Sequence, residues 1–208
     1  MCNLYRMTKP VGEVAKWFDA VNAMEGANFA EEVYPGYPGA VIADGRLRQM
    51  SWGFPYAATG AKGQKLKPRP VNNARTDKLS GFFWRYSFEE RRCLIPVTAW
   101  AEAEGARGAM TRSWLSRPDA ELFAVAGLWR DTAEWGPAYA MVMTDATGAA
   151  AQCHTRMPVL LREDDWARYT DGSVEEAFDL CVPWTGDLLL DRTSQPWTNR
   201  APAGGSLL

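Results

Sequence analysis

The second residue of the chain, Cys2, has the functional groups for two kinds of nucleophilic chemistry. Cysteine is small, so Met1 can be removed by an aminopeptidase or by the protein itself, and the mature chain would then begin with a 1,2-aminothiol. The α-amine and the thiol have reference pKa values of about 8 and about 8.5, so both are partly deprotonated near neutral pH. The amine can attack an aldehyde to give an imine, which the thiolate closes to a thiazolidine. The thiolate can instead attack an acyl group.

Three further segments contain side chains suited to hydrogen bonding or proton transfer. Pro70–Asp77 contains an Asn-Asn-Ala-Arg run, and Arg92–Glu102 contains a carboxylate beyond an apolar strand. Cys153–Leu161 contains His154, the single histidine of the chain. A glutamate or histidine that titrates near neutral pH can act as a general acid or base. These segments therefore contain the candidate partners of Cys2.

Together with the Met-Cys start, these segments resemble the SRAP (SOS response-associated peptidase) family. The family pattern is Met-Cys, then Asn-Ala-Arg, then Cys-Leu-Ile-Pro leading to an aromatic-x-Glu, then His-x-Arg-Met-Pro. This chain has all four in the same order between residue 2 and about residue 161, and Trp-Gly-Phe at 52–54 and Ala-Gly-Leu-Trp at 126–129 also fit. Any one of these matches is weak, but four in order are specific.

The resemblance implies a DNA-damage function. SRAP proteins cross-link to abasic sites in single-stranded DNA through the amino-terminal cysteine, as a thiazolidine, and remove their own initiator methionine. It also implies an α+β fold: a single domain over residues 1–198, with a mainly antiparallel, barrel-like β core and flanking helices. We expect residues 199–208 to be a tail. No cofactor or metal is expected, the expected partner is single-stranded DNA with abasic sites, and the protein should be a monomer.

Carried over residue by residue, the resemblance implies four catalytic positions. Cys2 is the nucleophile, and Asn73 would orient the Cys2 terminus by hydrogen bonding. Glu102 would be the general acid and base in methionine removal and imine formation, and His154 would assist proton transfer at the opened sugar. We prefer Asn73 to its neighbour Asn72, and Glu102 to Glu104 two residues on, because of the motif spacing.

The implied DNA contacts follow the same motifs. Arg75 and Arg156 would hold phosphates, and Trp52 would stack on a base or sugar. The other predicted DNA-binding residues are Lys67, Arg69 and Met157. The family usually continues Met-Cys with Gly-Arg, whereas this chain has Asn3 and Leu4. A phosphate contact from that position is therefore not expected, and Arg6 is not expected to replace it. Small residues also surround Glu102, where the family usually has bulky aromatic ones.

Charge along the chain favours a polyanionic partner. Lys62–Arg92 contains nine basic and three acidic residues, a net charge of +6, although the whole chain of 208 residues has a net charge of −2. Such a local basic segment can bind a polyanion. From charge alone, however, a solvated basic loop is the preferred interpretation.

Composition excludes several other classes. Apolar residues make up 47% and charged residues 23%, as in soluble globular domains. There is no run of 18 apolar residues and no secretory signal, so we expect a cytoplasmic protein, nucleoid-associated when it binds DNA. A single histidine excludes a multi-histidine metal site. The four cysteines have no CxxC spacing, so free thiols are expected.

The elements that must position these residues are mostly strands. We predict strands at 2–7, 40–43 and 47–54 (a hairpin turning at Asp-Gly), 93–97, 121–129, 138–144 and 159–161. Apolar spacing predicts a helix over 11–21 with Thr8 as its N-cap, and helices over 163–169 and 173–181. Residues 57–70 should be a surface loop.

Two other functions remain open at this point. A cysteine peptidase or amidase acting in trans would use Cys2 as an acyl nucleophile and would need no DNA, and the basic segment argues against it. A non-covalent single-stranded DNA binding module would tolerate replacement of Cys2. The aminothiol does not separate covalent capture from the first alternative, and the basic loop does not separate it from the second.

Overall fold

Short strands make up most of the regular structure, which a computed structural model describes for residues 2–24 and 30–197. In chain order the strands are β1 (Tyr5–Arg6), β2 (Val21–Asn22), β3 (Glu32–Val33), β4 (Pro38–Ala43), β5 (Arg46–Trp52), β6 (Phe54–Tyr56), β7 (Arg69–Val71), β8 (Asn73–Arg75), β9 (Arg92–Val97), β10 (Ala99–Glu104), β11 (Thr111–Ser116), β12 (Phe123–Thr132), β13 (Gly136–Asp145), β14 (Arg156–Pro158), β15 (Leu160–Leu161) and β16 (Leu189–Pro196). The helices are α1 (Val11–Trp17), α2 (Arg85–Glu90), α3 (Trp166–Asp171) and α4 (Val174–Asp179). Single 3-10 turns lie at Thr76–Lys78, Ala150–Gln152 and Glu163–Asp165. The predicted tail, 199–208, lies outside the described residues, as do residues 1 and 198, the bounds of the predicted domain.

Five strands close into a barrel at the centre of the fold. β13, β12, β9, β4 and β5 pair antiparallel in that order, and β5 closes the ring by pairing in parallel with β13. A closed ring has no unpaired edge along which another chain can add. All six residues of β9 are buried because α2 and α3 cover the outer face of this strand. The predicted α+β fold with a barrel-like core and flanking helices is confirmed.

A second sheet holds the amino-terminal segment beside the barrel. Its strand order is β16-β11-β10-β1-β3, and every pairing in it is antiparallel. Tyr5 of β1 pairs with Trp100 of β10. The Ala101 N–H donates to the Leu4 carbonyl over 2.9 Å, which extends this pairing towards Cys2. The start of the chain therefore runs beside the strand that carries Glu102.

Strand β13 brings two of the sequence motifs together. β8, which contains Asn-Ala-Arg, pairs in parallel with β13, and β14, which contains Arg-Met-Pro, pairs antiparallel with it. Met143 pairs with Arg75 on one side and with Pro158 on the other. The two motifs therefore flank the same end of β13, although they are about 80 residues apart in sequence.

The local predictions for the first 54 residues are partly confirmed. The hairpin forms as predicted: Asp44 and Gly45 have positive φ values of 51° and 67°, as a tight two-residue turn requires. Helix α1 differs from the prediction at both ends. Its N-cap is Pro10, not Thr8, and Asp19 with φ 47° ends the helical path before residue 21, which begins β2.

The later elements follow the predictions more closely. The strands predicted at 93–97, 121–129 and 138–144 correspond to β9, β12 and β13, and the helices predicted after residue 162 correspond to α3 and α4. Ser173 and Glu176 cap α4 reciprocally, each side chain accepting from the other's backbone N–H. Residues 57–68 are mainly exposed, as predicted for a surface loop, and β7 follows them. Within 2–24 and 30–197, no helix is long and apolar enough to cross a bilayer.

Candidate active site

Cys2 is fully buried where the amino-terminal segment meets the barrel. Its thiol donates to the Leu4 carbonyl over 3.4 Å. Burial raises the pKa of the Cys2 thiol well above its ordinary value, and the negative charge of Glu102 raises it further. The thiol is therefore protonated near neutral pH, so it needs a neighbouring base before it can act as a nucleophile.

Two consecutive asparagines hold the backbone of Cys2. The Nδ2 atoms of Asn73 and Asn72 donate to the Cys2 carbonyl over 2.8 and 3.0 Å. Asn72 Nδ2 also donates to Asn3 Oδ1 over 3.1 Å. Asn73 Oδ1 is buried and has no hydrogen-bond partner within the described part of the chain. The predicted hydrogen bond between Asn73 and Cys2 is therefore present. The neighbouring Asn72, which the sequence analysis did not prefer, makes the same contact.

Glu102 titrates near neutral pH. Its side chain is buried on β10, and this burial raises the pKa of Glu102 from 4.5 to about 7, against the opposing effect of the positive charge at the amino terminus. A carboxyl group with such a pKa is present in both protonation states at pH 7, so it can accept and donate a proton in one reaction cycle. Ala101, the residue before Glu102, donates its N–H to the Leu4 carbonyl and so brings this part of β10 beside the Cys2 segment.

Glu104, the competing carboxylate, belongs to a different set of contacts. Ser113 Oγ and Cys153 Sγ donate to Glu104 Oε2, the latter over 3.3 Å, and Arg192 forms an ion pair with it over 3.1 Å. Partial burial opposes these contacts, but they outweigh it and lower the pKa of Glu104. Glu104 therefore remains an ionised, bonded carboxylate, whereas Glu102 has the pKa of an acid–base group.

His154 lies on the segment between the Ala150–Gln152 turn and β14. Its Nδ1 accepts from the Arg156 backbone N–H over 3.0 Å, so the neutral ring carries its proton on Nε2. Burial lowers the pKa of His154, and the positive charges of the amino terminus and Arg156 lower it further. His154 is therefore a neutral Nε2–H donor at pH 7. The Cys153–Glu104 hydrogen bond ties this segment to the strand that carries Glu102.

The four predicted DNA-binding cations are accessible to different degrees. Lys67 and Arg69 are exposed on the loop and on β7. Arg75 forms a 2.7 Å ion pair with Asp77, and Arg156 forms a 3.3 Å ion pair with Asp145. A phosphate at either arginine would have to replace or share a carboxylate partner.

One cation of the basic segment faces the interior. Arg92 is buried, and its guanidinium donates to the backbone carbonyls of Phe88, Tyr169 and Gly172. It fastens α2 and the end of α3 to the barrel. The net charge of +6 counted along the segment therefore overstates the charge that a bound polyanion would meet.

The stacking prediction for Trp52 is wrong, and so is the DNA contact for Met157. Both side chains are fully buried. Trp52 packs in the core with its ring centroid 5.0 Å from that of Tyr5 and 6.4 Å from that of Tyr139, so it offers no face to a base. Trp52 is buried because it lies beside Gly53 at the end of β5, the strand that closes the barrel; its residue type alone did not predict this.

The core around Trp52 contains a pair of tyrosines that no sequence motif marks. Tyr5 Oη and Tyr139 Oη are hydrogen-bonded over 2.5 Å, and both side chains are fully buried. A Cβ on Gly39 would lie 2.1 Å from the Tyr139 hydroxyl and 2.2 Å from the Tyr5 hydroxyl. Glycine at position 39 therefore makes room for this pair.

The sequence as a whole matches one family model, described as SOS response associated peptidase (SRAP), over residues 1–193. The chain belongs to the SRAP family. This membership connects it with the response to DNA damage and with DNA-related binding. No functionally curated protein matches the chain.

Solved structures share the SRAP fold of this chain. A protein from Bacteroides thetaiotaomicron is 18% identical with a TM-score of 0.76, covering 92% of this chain and 91% of that one. A protein from Bordetella bronchiseptica is 22% identical with a TM-score of 0.75, covering 92% and 99%. A phage-related protein from the same organism is 18% identical with a TM-score of 0.68, covering 93% and 95%. At these identities the likeness shows the fold alone.

The leucine at position 4, a departure from the usual SRAP pattern, has a structural explanation. Leu4, where the family usually has arginine, is buried with Ala101 and Trp114 in a small apolar cluster. Arg6 lies 3.7 Å from the Trp114 ring centroid and pairs with Glu32 over 2.8 Å. These contacts engage Arg6 with side chains of the same sheet, consistent with the expectation that it does not replace the missing arginine.

The cysteines and possible metal ligands complete the site description. All four cysteines are free thiols, as predicted. Cys93 and Cys181 are buried in the core, and the Cys181 thiol donates to the Ala177 carbonyl over 3.3 Å. Across 2–24 and 30–197, no group of three His, Cys, Asp or Glu side chains is placed to hold a metal ion.

Proposed function

We propose that this SRAP protein captures abasic sites in single-stranded DNA covalently through Cys2, after loss of Met1. The observation that carries the proposal is the placement of a potential aminothiol, held through its carbonyl by Asn72 and Asn73, beside a glutamate whose pKa is about 7. Thiazolidine formation needs such a combination, since an amine and a thiol must both lose protons during the reaction.

The reaction begins with the sugar. An abasic deoxyribose is mostly a closed hemiacetal, so its ring must open before an aldehyde is available. The Nε2–H of neutral His154 hydrogen-bonds to the ring oxygen and polarises the C–O bond as it breaks. Glu102 in its carboxylate form accepts the proton of the anomeric hydroxyl and returns it to the released ring oxygen, which becomes a free hydroxyl. General acid–base catalysis of this kind contributes about 10²–10⁴-fold to a rate.

Cross-linking then joins the aldehyde carbon to both groups of Cys2. The α-amine attacks the carbonyl carbon, and water leaves as the imine forms. The thiol, deprotonated by Glu102, adds its sulfur to the imine carbon, and the proton ends on the ring nitrogen. One water is lost in total. Asn73 Oδ1, buried and without a partner within the described residues, would accept from the α-amine and direct its lone pair.

Self-removal of Met1 uses the same carboxylate in this proposal. Glu102 acts as the general base for a water molecule that adds to the Met1 carbonyl carbon, and it then gives the proton to the Cys2 amine as the Met1–Cys2 bond breaks. Free methionine leaves, which gives the activity implied by the word peptidase in the family's description. The exposed Lys67 and Arg69, with Arg75 and Arg156, would attract the strand, and phosphate contacts make such binding depend on salt.

Intact mass spectrometry tests the proposal. The purified protein is weighed before and after incubation with single-stranded DNA that carries one abasic site. We expect a starting mass without methionine and an adduct equal to protein plus DNA less one water. Cys2→Ala should abolish the adduct after denaturation, because an imine without the thiol is reversible. Cys181→Ala, a substitution at another buried thiol, is the matched control and should keep it.

Other outcomes would overturn the proposal. A processed amino terminus without an adduct excludes covalent capture; peptide turnover would then favour a peptidase in trans. Salt-sensitive, reversible binding that survives Cys2→Ala would favour a non-covalent DNA-binding module. A retained Met1 leaves no aminothiol, and capture by the proposed chemistry fails.

A further inference from the structure

The side-chain amide of Asn72 uses both of its protons on the first residues of the chain. Nδ2 donates to the Cys2 carbonyl over 3.0 Å and to Asn3 Oδ1 over 3.1 Å. A carbonyl oxygen has two lone pairs, and Asn73 supplies the second donor to Cys2 over 2.8 Å. The Cys2 carbonyl oxygen therefore has a donor for each of its lone pairs, and Asn72, which supplies one of them, is itself buried.

The backbone of Asn72 is anchored in turn to the barrel. Its carbonyl accepts from the Met141 N–H of β13 over 2.9 Å, and the next residue, Asn73, pairs with Met141 in the β8–β13 ladder. On the opposite side of the segment, the Leu4 carbonyl accepts from the Ala101 N–H over 2.9 Å. The amino-terminal segment is thus fixed between β8 and β10. The side chain of Asn3, an exposed residue, accepts the second hydrogen bond of the Asn72 amide.

We infer that Asn72 and Asn3 form a positioning latch, which sets the rate of ring closure at Cys2 without contributing to DNA affinity. The effect on cross-linking to abasic DNA rests on the proposed function. The orientation of the Cys2–Asn3 peptide fixes where the remaining substituents of the Cys2 α-carbon, the amine and the thiol-bearing Cβ, can point. Small errors in the placement of reacting atoms cost rate rather than binding. Neither side chain of the latch transfers a proton, so both act through Cys2.

Two matched Asn→Asp substitutions give opposite expectations. Asn72→Asp removes both donors and places a carboxylate against two carbonyl oxygens, so we expect the cross-linking rate at saturating abasic DNA to fall at least about tenfold. Asn3→Asp keeps the accepting Oδ1 and should conserve the rate. Asn3→Ala removes the acceptor at an exposed position that can be changed without unfolding the protein, and it should slow the reaction severalfold. In Asn3→Ala, which adds no charge, the dissociation constant for an undamaged strand of the same length should equal that of the wild type, whereas the added negative charge of the two Asp variants repels a polyanion.

A DNA-free reaction separates the latch from the proposed function. Formaldehyde converts an amino-terminal cysteine into a thiazolidine, with loss of one water and a net gain of one carbon, and intact mass follows its rate. Slower ring formation in Asn72→Asp and Asn3→Ala, but not in Asn3→Asp, supports the latch even if abasic DNA never reacts. If the wild type cross-links to abasic DNA and these variants do so at the same rate, the latch is overturned and the proposed function stands.

A structural readout keeps the inference falsifiable if neither aldehyde reacts. Hydrogen exchange of the backbone amides of residues 3–6, measured by mass spectrometry, should accelerate in Asn72→Ala and Asn3→Ala. Asn22→Ala, an asparagine on β2 that accepts from the Met24 N–H, is the matched control and should leave these amides unchanged. Unchanged exchange in both latch variants would overturn the inference whatever the aldehyde reactions show.

Discussion

The two carboxylates of β10 should respond in opposite ways when they are neutralised. Burial raises the pKa of Glu102 from 4.5 to about 7, whereas hydrogen bonds and an ion pair lower that of Glu104. Between pH 4.5 and about 7, folded Glu102 keeps a proton that the unfolded chain releases. Folding stability therefore falls as the pH rises through this window, and the full penalty is present above pH 7. Glu102→Gln removes the penalty while keeping the size of the side chain.

The size of this effect follows from the pKa difference. A change from 4.5 to about 7 corresponds to about 3 kcal/mol, at about 1.4 kcal/mol for each tenfold change in an equilibrium. Part of this penalty is already present at pH 5, where the unfolded carboxyl is mostly ionised. Relative to the wild type, Glu102→Gln should therefore gain about 2–3 kcal/mol in unfolding free energy between about pH 5 and about pH 8. Urea unfolding at the two pH values measures this difference. Glu104→Gln is the control: its carboxylate is mostly ionised in both states at both pH values, so the loss of its partners should destabilise the protein about equally at each.

Activity should move against stability in the same variant. We expect Glu102→Gln to slow cross-linking about a hundredfold or more, because a positioned proton acceptor is lost. If the variant is more stable than the wild type at high pH and yet less active, misfolding cannot be the cause of the lost activity. A pH-independent change in unfolding free energy, or a loss of stability at about pH 8, would refute the raised pKa of Glu102 and the acid–base role built on it.

Three further predictions concern other parts of the molecule. His154→Ala should slow capture of a natural abasic site about a hundredfold, and a substrate with an already open aldehyde should restore most of the rate; equal effects on both substrates would exclude a role in ring opening. Arg156→Gln should reduce the slope of log affinity against log salt for single-stranded DNA by about 0.7, which titrations at several salt concentrations measure; an unchanged slope would mean that Arg156 contacts no phosphate. Gly39→Ala should cost about 1–3 kcal/mol in urea unfolding, because its Cβ would collide with the hydroxyl pair of Tyr5 and Tyr139, and adding Tyr139→Phe should recover part of the loss. Wild-type stability in the single variant would show that the pair can move aside.

Linear motifs predicted the site better than they predicted its surroundings. Cys2, Asn73 and Glu102 could be picked out because each stands in a short pattern, and the structure brings these three together. Asn72 could not be assigned, since an amide beside another amide carries no information about which carbonyl it will meet. The bond between Asn72 and Asn3 spans 69 positions and depends on how β8 docks against β13.

The barrel itself shows where sequence patterns lose information. The Asp-Gly turn predicts its hairpin because the turn residues and both strands are local. The parallel pairing that closes the barrel joins Ser51 to Ala138, and no local signal marks it. Burial is similarly hidden: Trp52 and Arg92 are residue types typical of DNA-binding surfaces, yet both face inward because of the strands that carry them. Strand β16 escaped prediction because it is largely exposed and lacks apolar alternation.

The position of β1 between β10 and β3 has a consequence for synthesis of the protein. The segment that contains Cys2 leaves the ribosome before the partners that hold it, which follow 70 to 100 positions later, at Asn72, Asn73 and Ala101. The His154 segment and the end of β13 come later still. Contacts of such long sequence separation form slowly and require nearly the whole chain. In a nascent chain, Cys2 is therefore present long before the residues that surround it in the site. The reactivity proposed for Cys2 arises only when the fold is complete.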